Sequence, residues 1–210
     1  MNVSMEVVED KSVVNGIVSK ADEIHAFMIV AGMKGTSLFK ELIMGNTTRH
    51  LIDKAHCLVL AVPEYANYKQ INTIVYATDL EADADIEVIQ KLSGIAKAFD
   101  ATIKVVHIST KKEYAGESQM EWFKTQLKEK IYYEKITFEI IFSEAIYESL
   151  RIYLGAVGAD LVVMLEREEK GFLNKLFHQD LVKKLEIYGK IPLISFNENN
   201  FGMFHFLGLK

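Results

Sequence analysis

Three glycines, Gly32, Gly35 and Gly45, with Lys34, Asn46, Thr47 and Thr48 among them, are the residues of this chain best suited to holding an anion. They lie in the stretch MIVAGMKGTSLFKELIMGNTTRHLIDKAHCLVLAV, residues 28–62. Its first apolar run ends at Ala31, and Gly32-Met33-Lys34-Gly35 reads as a turn. Nine residues, Thr36–Met44, separate that turn from Gly45-Asn46-Thr47-Thr48, which opens a helical pattern continuing towards Lys54. Glycine lets a backbone approach a ligand closely, and the unpaired amides of a helix N-terminus point at negative charge. Thr47 and Thr48 add hydroxyl donors and Lys34 a positive charge, so the arrangement reads as a phosphate cradle. The spacing is neither that of a Walker loop nor GxGxxG. A plainer reading, two turn glycines and one at a helix start, stays open at this point.

Other chemistry-bearing residues read less strongly. Cys57 begins an apolar strand, where a thiol behaves as a small core residue. The six histidines, His25, His50, His56, His107, His178 and His205, have no HExxH or other metal-ligand spacing. One cysteine cannot close an intrachain disulfide, and no CxxC or Cys/His ladder offers a zinc site.

The elements that must position the cradle follow from apolar periodicity. Ile71–Ala77, Thr102–Ile108, Ile136–Phe142, Asp160–Leu165 and Ile191–Phe196 read as strands. Between them, Asp85–Phe99, Ser118–Ile131, Ala145–Val157 and Leu173–Ile187 read as helices. The second of these helices turns Trp122, Phe123, Leu127 and Ile131 inward. Such alternation predicts an α/β fold with a mostly parallel, five-stranded sheet covered on both faces. The first 62 residues repeat its second half. Shifted by 133, Val3, Met5, Glu6, Val8, Ile17 and Met28 fall on Ile136, Phe138, Glu139, Ile141, Leu150 and Leu161. Shifted by 134, Leu42, Leu51, Cys57 and Val59 fall on Leu176, Leu185, Ile191 and Leu193. The organisation expected is therefore 1–64 as the C-terminal half of a first unit, 65–70 as linker, 71–197 as a complete second unit and 198–210 as an apolar tail. That tail would dock on its own domain or on a partner. The stretch Ile71–Tyr133 has no counterpart in the first unit, which leaves Val3–Val8 without neighbouring strands.

Composition agrees with a globular chain: 210 residues, 50% hydrophobic, 25% charged and a net charge of −5. Acids and bases are interspersed, so no electrostatic footprint for nucleic acid is visible. The N-terminus lacks the basic start and apolar core of a signal peptide, and no apolar run approaches a membrane span. A cytoplasmic location is expected.

On these residues the sequence resembles the universal stress protein family. The family's nucleotide signature is Gly, two residues, Gly, nine residues, Gly and a small polar residue. Gly32, Gly35, Gly45 and Asn46 match it, with Asn where Ser is commoner. The resemblance covers nearly the whole chain as two Rossmann-like units in tandem, the first incomplete. It implies a non-enzymatic stress-response protein. ATP, with its Mg²⁺, would be held by Gly32, Lys34, Gly35, Gly45, Asn46 and Thr47 of the first unit. It also implies association through last strands, Leu58–Val62 with Ile191–Phe196, in an intramolecular pseudo-dimer or a homodimer. In the second unit Asp79 matches the family's adenine-side acid, although beside an altered phosphate loop an N-cap role suits it better. Glu166 and its neighbours replace the glycine turn there, and Gln179-Asp180 stand where Gly45-Asn46 stand, so that site reads as degenerate. The missing opening implies an N-terminally shortened piece of a tandem protein of about 270 residues, or a sheet completed by a partner chain or a rearranged packing. Slow ATP hydrolysis lacks a recognisable base. A nucleotide-independent interaction scaffold is the alternative function.

Overall fold

A computed structural model of the 210-residue chain describes residues 3–33, 46–67, 70–78, 80, 82–110, 116–166 and 190–197. Twelve elements are described. They run α1 (Val13–Glu23), β1 (Met28–Met33), α2 (Asn46–Lys54), β2 (Leu58–Pro63), β3 (Thr73–Thr78) and α3 (Ala82–Phe99). There follow β4 (Thr102–Ser109), α4 (Gly116–Lys130), β5 (Ile136–Phe142), α5 (Ile146–Ala156), β6 (Leu161–Glu166) and β7 (Leu193–Asn197). The helix expected over Leu173–Ile187 and the tail after 197 lie outside the described residues.

The strands form one seven-stranded sheet in the order β1-β2-β7-β6-β3-β4-β5. Every pairing is parallel except one: β2 meets β7 antiparallel, with Val59 opposite Ser195, Leu60 opposite Ile194 and Ala61 opposite Leu193. The last strands of the two sequence-defined halves thus lie side by side within the chain. The five strands of the second half keep the order β7-β6-β3-β4-β5, with a switch point between β6 and β3.

Helices cover both faces. On one, α3 and α4 bury Ile86, Ile89, Leu92, Ala96, Met120, Phe123 and Leu127 against Ile74, Tyr76, Ile103, Val105, Leu161 and Val163. On the other, α5 places Leu150, Tyr153 and Leu154 on Val75, Val106, Val162 and Met164. There too α1 and α2 place Val14, Ala21, Leu51 and Ile52 on Ile29 and Val59. The central strands are apolar on both faces because both are covered, which is why they read as unbroken runs rather than alternations.

The two halves correspond closely in their boundaries. Adding 133 to α1 gives α5, and adding 133 to β1 gives β6, end for end. Their helix exits also agree. His25, two residues past the end of α1, has φ +50, and its counterpart Gly158 has φ +60. The following amide reaches back to the helix in both: Ala26 N–H to the Ala21 carbonyl at 2.8 Å and Ala159 N–H to the Leu154 carbonyl at 3.0 Å. These are Schellman closures, for which glycine is the unstrained residue.

Three expectations are corrected. Residues 3–8, expected as a strand, form none: Met5 is 95% and Val7 99% exposed. A strand with no neighbour cannot satisfy its backbone through a ladder, so the apolar pattern alone does not make one. The segment instead runs beside α1, where Glu6 meets Lys20 at 2.6 Å and Asp10 Cβ approaches Gly16. The first strand does not stop at Ala31 but continues through Gly32 and Met33, paired with Val62 and Pro63. Trp122 is half-exposed rather than inward. The buried stripe of α4 is Met120, Phe123 and Leu127, at spacings of three and four, and Trp122 falls beside it.

Two stability predictions follow from this geometry. His25→Gly removes a left-handed strain that Gly158 never carries, and should stabilise by about 1 kcal/mol. Thermal unfolding would show that as a rise of roughly 2–4 °C for a chain this size; no rise would mean that the His25 side chain offsets the strain. Ser195, buried at 1% exposure, has a hydroxyl with no hydrogen-bond partner among the described residues. Ser195→Ala should therefore be neutral or stabilising by up to about 1 kcal/mol in denaturant titration, whereas loss of a satisfied hydroxyl would destabilise.

Candidate functional site

In a parallel α/β unit the loops after the strands gather at the C-terminal sheet edge, where helix N-termini also arrive. At that edge of the first half, Gly32 is the penultimate residue of β1 and is exposed. Among the described residues a Cβ placed on it would meet nothing within 4 Å, so their packing does not require glycine there. Asn46 and Thr47 begin α2, with Thr47 exposed and Thr48 buried at 3%. The first turn of α2 carries no acidic side chain, so no carboxylate opposes an anion at its amides. Lys34, Gly35 and Gly45 lie outside the described residues. The structure thus brings Gly32, Asn46 and Thr47 to one edge of the sheet through the β1–α2–β2 crossover.

The second half differs at the corresponding places. Gly32 plus 133 is Leu165, which is buried at 4% and belongs to the main core. Glu166 is the last residue of β6, in register with Asn197. Asp79, Gln179 and Asp180 lie outside the described residues. A leucine side chain occupies the place that is open beside Gly32, so close backbone approach is blocked there.

A buried polar cluster, which the sequence reading did not single out, stands at the C-terminal ends of β3 and β4. The Tyr76 hydroxyl donates to Asp85, which is fully buried at the start of α3. His107 Nδ1–H donates to the Thr78 carbonyl at 2.9 Å, and Leu80 N–H donates to Thr78 Oγ1 at 2.8 Å. Leu80 is buried with φ +64. These bonds fix the turn that leaves β3, on either side of position 79. The available signal was one polar residue inside each apolar run, Tyr76 in INTIVYA and His107 in VVHIST; a shared site for residues 31 apart is invisible before the sheet registers β3 on β4.

Other titratable groups belong to the core or to surface ties. Burial pushes the Cys57 thiol up, away from the reactive thiolate form. Burial likewise raises the Tyr147 phenol to about 12 and the Tyr153 phenol further, so both are neutral packing residues. His56 Nδ1 lies 3.0 Å from Asp22, linking the approach to β2 to the end of α1. Among the described residues no group of three or more His, Cys, Asp or Glu could hold a metal ion. No described helix is long and apolar enough to cross a membrane.

Comparison with known proteins follows the fold closely. A chain from Pseudomonas aeruginosa UCBPP-PA14 described as a universal stress protein superposes with a TM-score of 0.66 at 15% identity. That match covers 96% of this chain and 74% of the other. A universal stress protein from Archaeoglobus fulgidus gives 0.61 at 12% identity, over 88% of this chain and 64% of the other. A functionally unknown protein from Pseudomonas aeruginosa PAO1 gives 0.65 at 14%, over 94% and 73%. At these identities the likeness shows a shared fold, and this chain spans about two thirds to three quarters of each. No curated protein matches the sequence. Residues 2–63, which include β1, α2 and β2, match the sequence profile of the universal stress protein family.

Proposed function

We propose that this chain is a universal stress protein that binds ATP, with its Mg²⁺, at the C-terminal end of β1 and does not turn it over. The observation that carries the reading is the place at Gly32, open among the described residues, at the end of β1 ahead of an α2 first turn free of acidic groups. Gly32, Asn46 and Thr47 contact the phosphates, and the family signature adds Lys34, Gly35 and Gly45. Backbone amides and hydroxyls of this kind position a phosphate without supplying a base, so the site suits a sensor or carrier of nucleotide better than a hydrolase. No group of carboxylates stands ready for a resident metal among the described residues, so Mg²⁺ arrives with the nucleotide. The second half, with Leu165 and Glu166 in place of the glycine turn, does not bind nucleotide. The β2–β7 pairing supports the intramolecular pseudo-dimer over a homodimer built on the same strands, because each last strand already has its partner. A cytoplasmic stress-response role belongs to the same reading.

Calorimetric titration with Mg-ATP, at concentrations that detect micromolar affinity, tests it. Gly32→Leu copies the side chain of the second half into open space, so the thermal transition should be unchanged while affinity falls at least about tenfold. Equal affinity in the variant would place the nucleotide elsewhere. No binding by the unaltered chain would replace this reading with the nucleotide-independent scaffold.

A further inference from the structure

Thr48 follows the exposed Thr47 in the first turn of α2, yet it is buried at 3%. With Leu51, Ile52 and Ala55 it forms an inward stripe, at spacings of three, four and seven. Its side chain therefore packs into the core, away from the sheet edge where Asn46 and Thr47 arrive. Part of that core is lent by the second half, because α2 packs against β7 as well as against β1 and β2. The ladder shows which residues of β7 lie beneath it. Val59 is on the face that meets Leu51 and Ile52, and residues directly opposite on an antiparallel ladder share a face. Ser195 opposite Val59, and Leu193 opposite Ala61, thus continue the floor of α2 into the second half. Ala61 and Ser195 are small and buried at 0% and 1%, which lets the helix lie close over the seam. Helical rise fixes the level of Thr48. α2 runs back against β2, and the seven residues from Ala55 to Thr48 climb about 10 Å, or about three strand residues. From Leu58 that climb reaches Ala61, whose ladder partner is Leu193.

We infer that Thr48, seated with α2 on β7, is a positioning residue for the phosphate cradle. The second half thereby sets the affinity of a site whose ligand it does not touch. The inference rests on the nucleotide reading above and adds the regulation of that site. Thr48 fixes the height of the α2 first turn through the bulk of its side chain, not by donating its hydroxyl to the ligand. Amides at the start of a helix hold a phosphate only over a narrow range of distance and angle, so a displaced turn weakens them. A change at the β2–β7 seam reaches the cradle through α2, and by linkage a bound phosphate steadies the seam in return.

Leu193→Ala and Thr48→Ala, singly and together in the full chain, test the seat. In Leu193→Ala, the amides of residues 50–52, whose hydrogen bonds return to residues 46–48, should exchange at least about threefold faster without nucleotide. Exchange in α3, on the opposite face of the sheet, is the control and should not change. Mg-ATP affinity should fall at least about threefold in each single variant, and the double variant should lose less than the product of the two. Thr48→Val keeps the bulk and removes the hydroxyl, so it should bind at least about threefold more tightly than Thr48→Ala. Each variant is checked for a cooperative thermal transition, and Leu193→Val replaces Leu193→Ala where that is lacking. Unaltered exchange in residues 50–52 overturns the inference. So does Thr48→Val binding no better than Thr48→Ala, or a double variant that loses the full product. If the native chain does not bind Mg-ATP, the nucleotide reading falls and takes the positioning role with it. If the native chain binds and any of these tests fails, the inference alone falls.

Discussion

The antiparallel ladder between β2 and β7 is the contact on which the rest of the sheet depends. Three residue pairs, Val59 with Ser195, Leu60 with Ile194 and Ala61 with Leu193, join two blocks of parallel strands into one sheet. Without it β1 and β2 would be a two-stranded parallel ribbon with α1 and α2 on one face, too small a body to bury a core of its own. Across it, Leu60 joins Ile194 on the face of the main core, while Val59 stays with Leu51 and Ile52 on the other. The first half is stable because it is grafted onto the second. The buried Ser195 hydroxyl sits in this seam, the one place where two separately patterned units had to meet.

Much of this arrangement was legible in the sequence because its information is local. Continuous β-branched runs placed β3, β4 and β6 to within two residues, and the stripe Ile86, Ile89, Leu92 and Ala96 fixed the buried face of α3. The internal match at an offset of 133 anticipated that α1 would mirror α5 and β1 would mirror β6. What failed to read depends on neighbours. Residues 3–8 carry a strand's pattern, but a pattern states only which face would be buried if a partner were present. Trp122 looked apolar enough for the core, but one step around the helix put it beside the stripe. Gly32 read as the start of a turn because glycine punctuates; β2 extended the strand past it by offering Val62 and Pro63 as register partners.

The candidate site rests on spacing in the sequence and on topology in the fold. Spacing picked out Gly32, Asn46 and Thr47, and topology gathers these at one sheet edge. Lys34, Gly35 and Gly45 fall outside the described residues, so their share rests on the signature alone. The cluster Tyr76–Asp85 and Thr78–His107 was missed because each member is an isolated polar residue in its own run. Only the parallel register of β3 on β4 sets Thr78 opposite His107. That cluster braces the turn after β3 in the half where Leu165 has closed the space beside the backbone.

The two halves therefore share a backbone plan and diverge in what they do with it. Where the first half has an open glycine at 32, the second has a core leucine at 165. At the helix exits the distribution reverses: the first half strains a histidine into the left-handed region at 25, while the second uses the unstrained glycine at 158. The edges diverge as well, since among the described residues β6 is flanked on both sides and β1 on one. Burial follows: the second half supplies most of the main core, whereas the first keeps Val30 in solvent. A half packed for rigidity thus supports one whose glycine and strained exit are each less stable choices than those its twin makes. Such choices persist in a folded chain when the surface they create has a use, because marginal stability leaves little room for them otherwise.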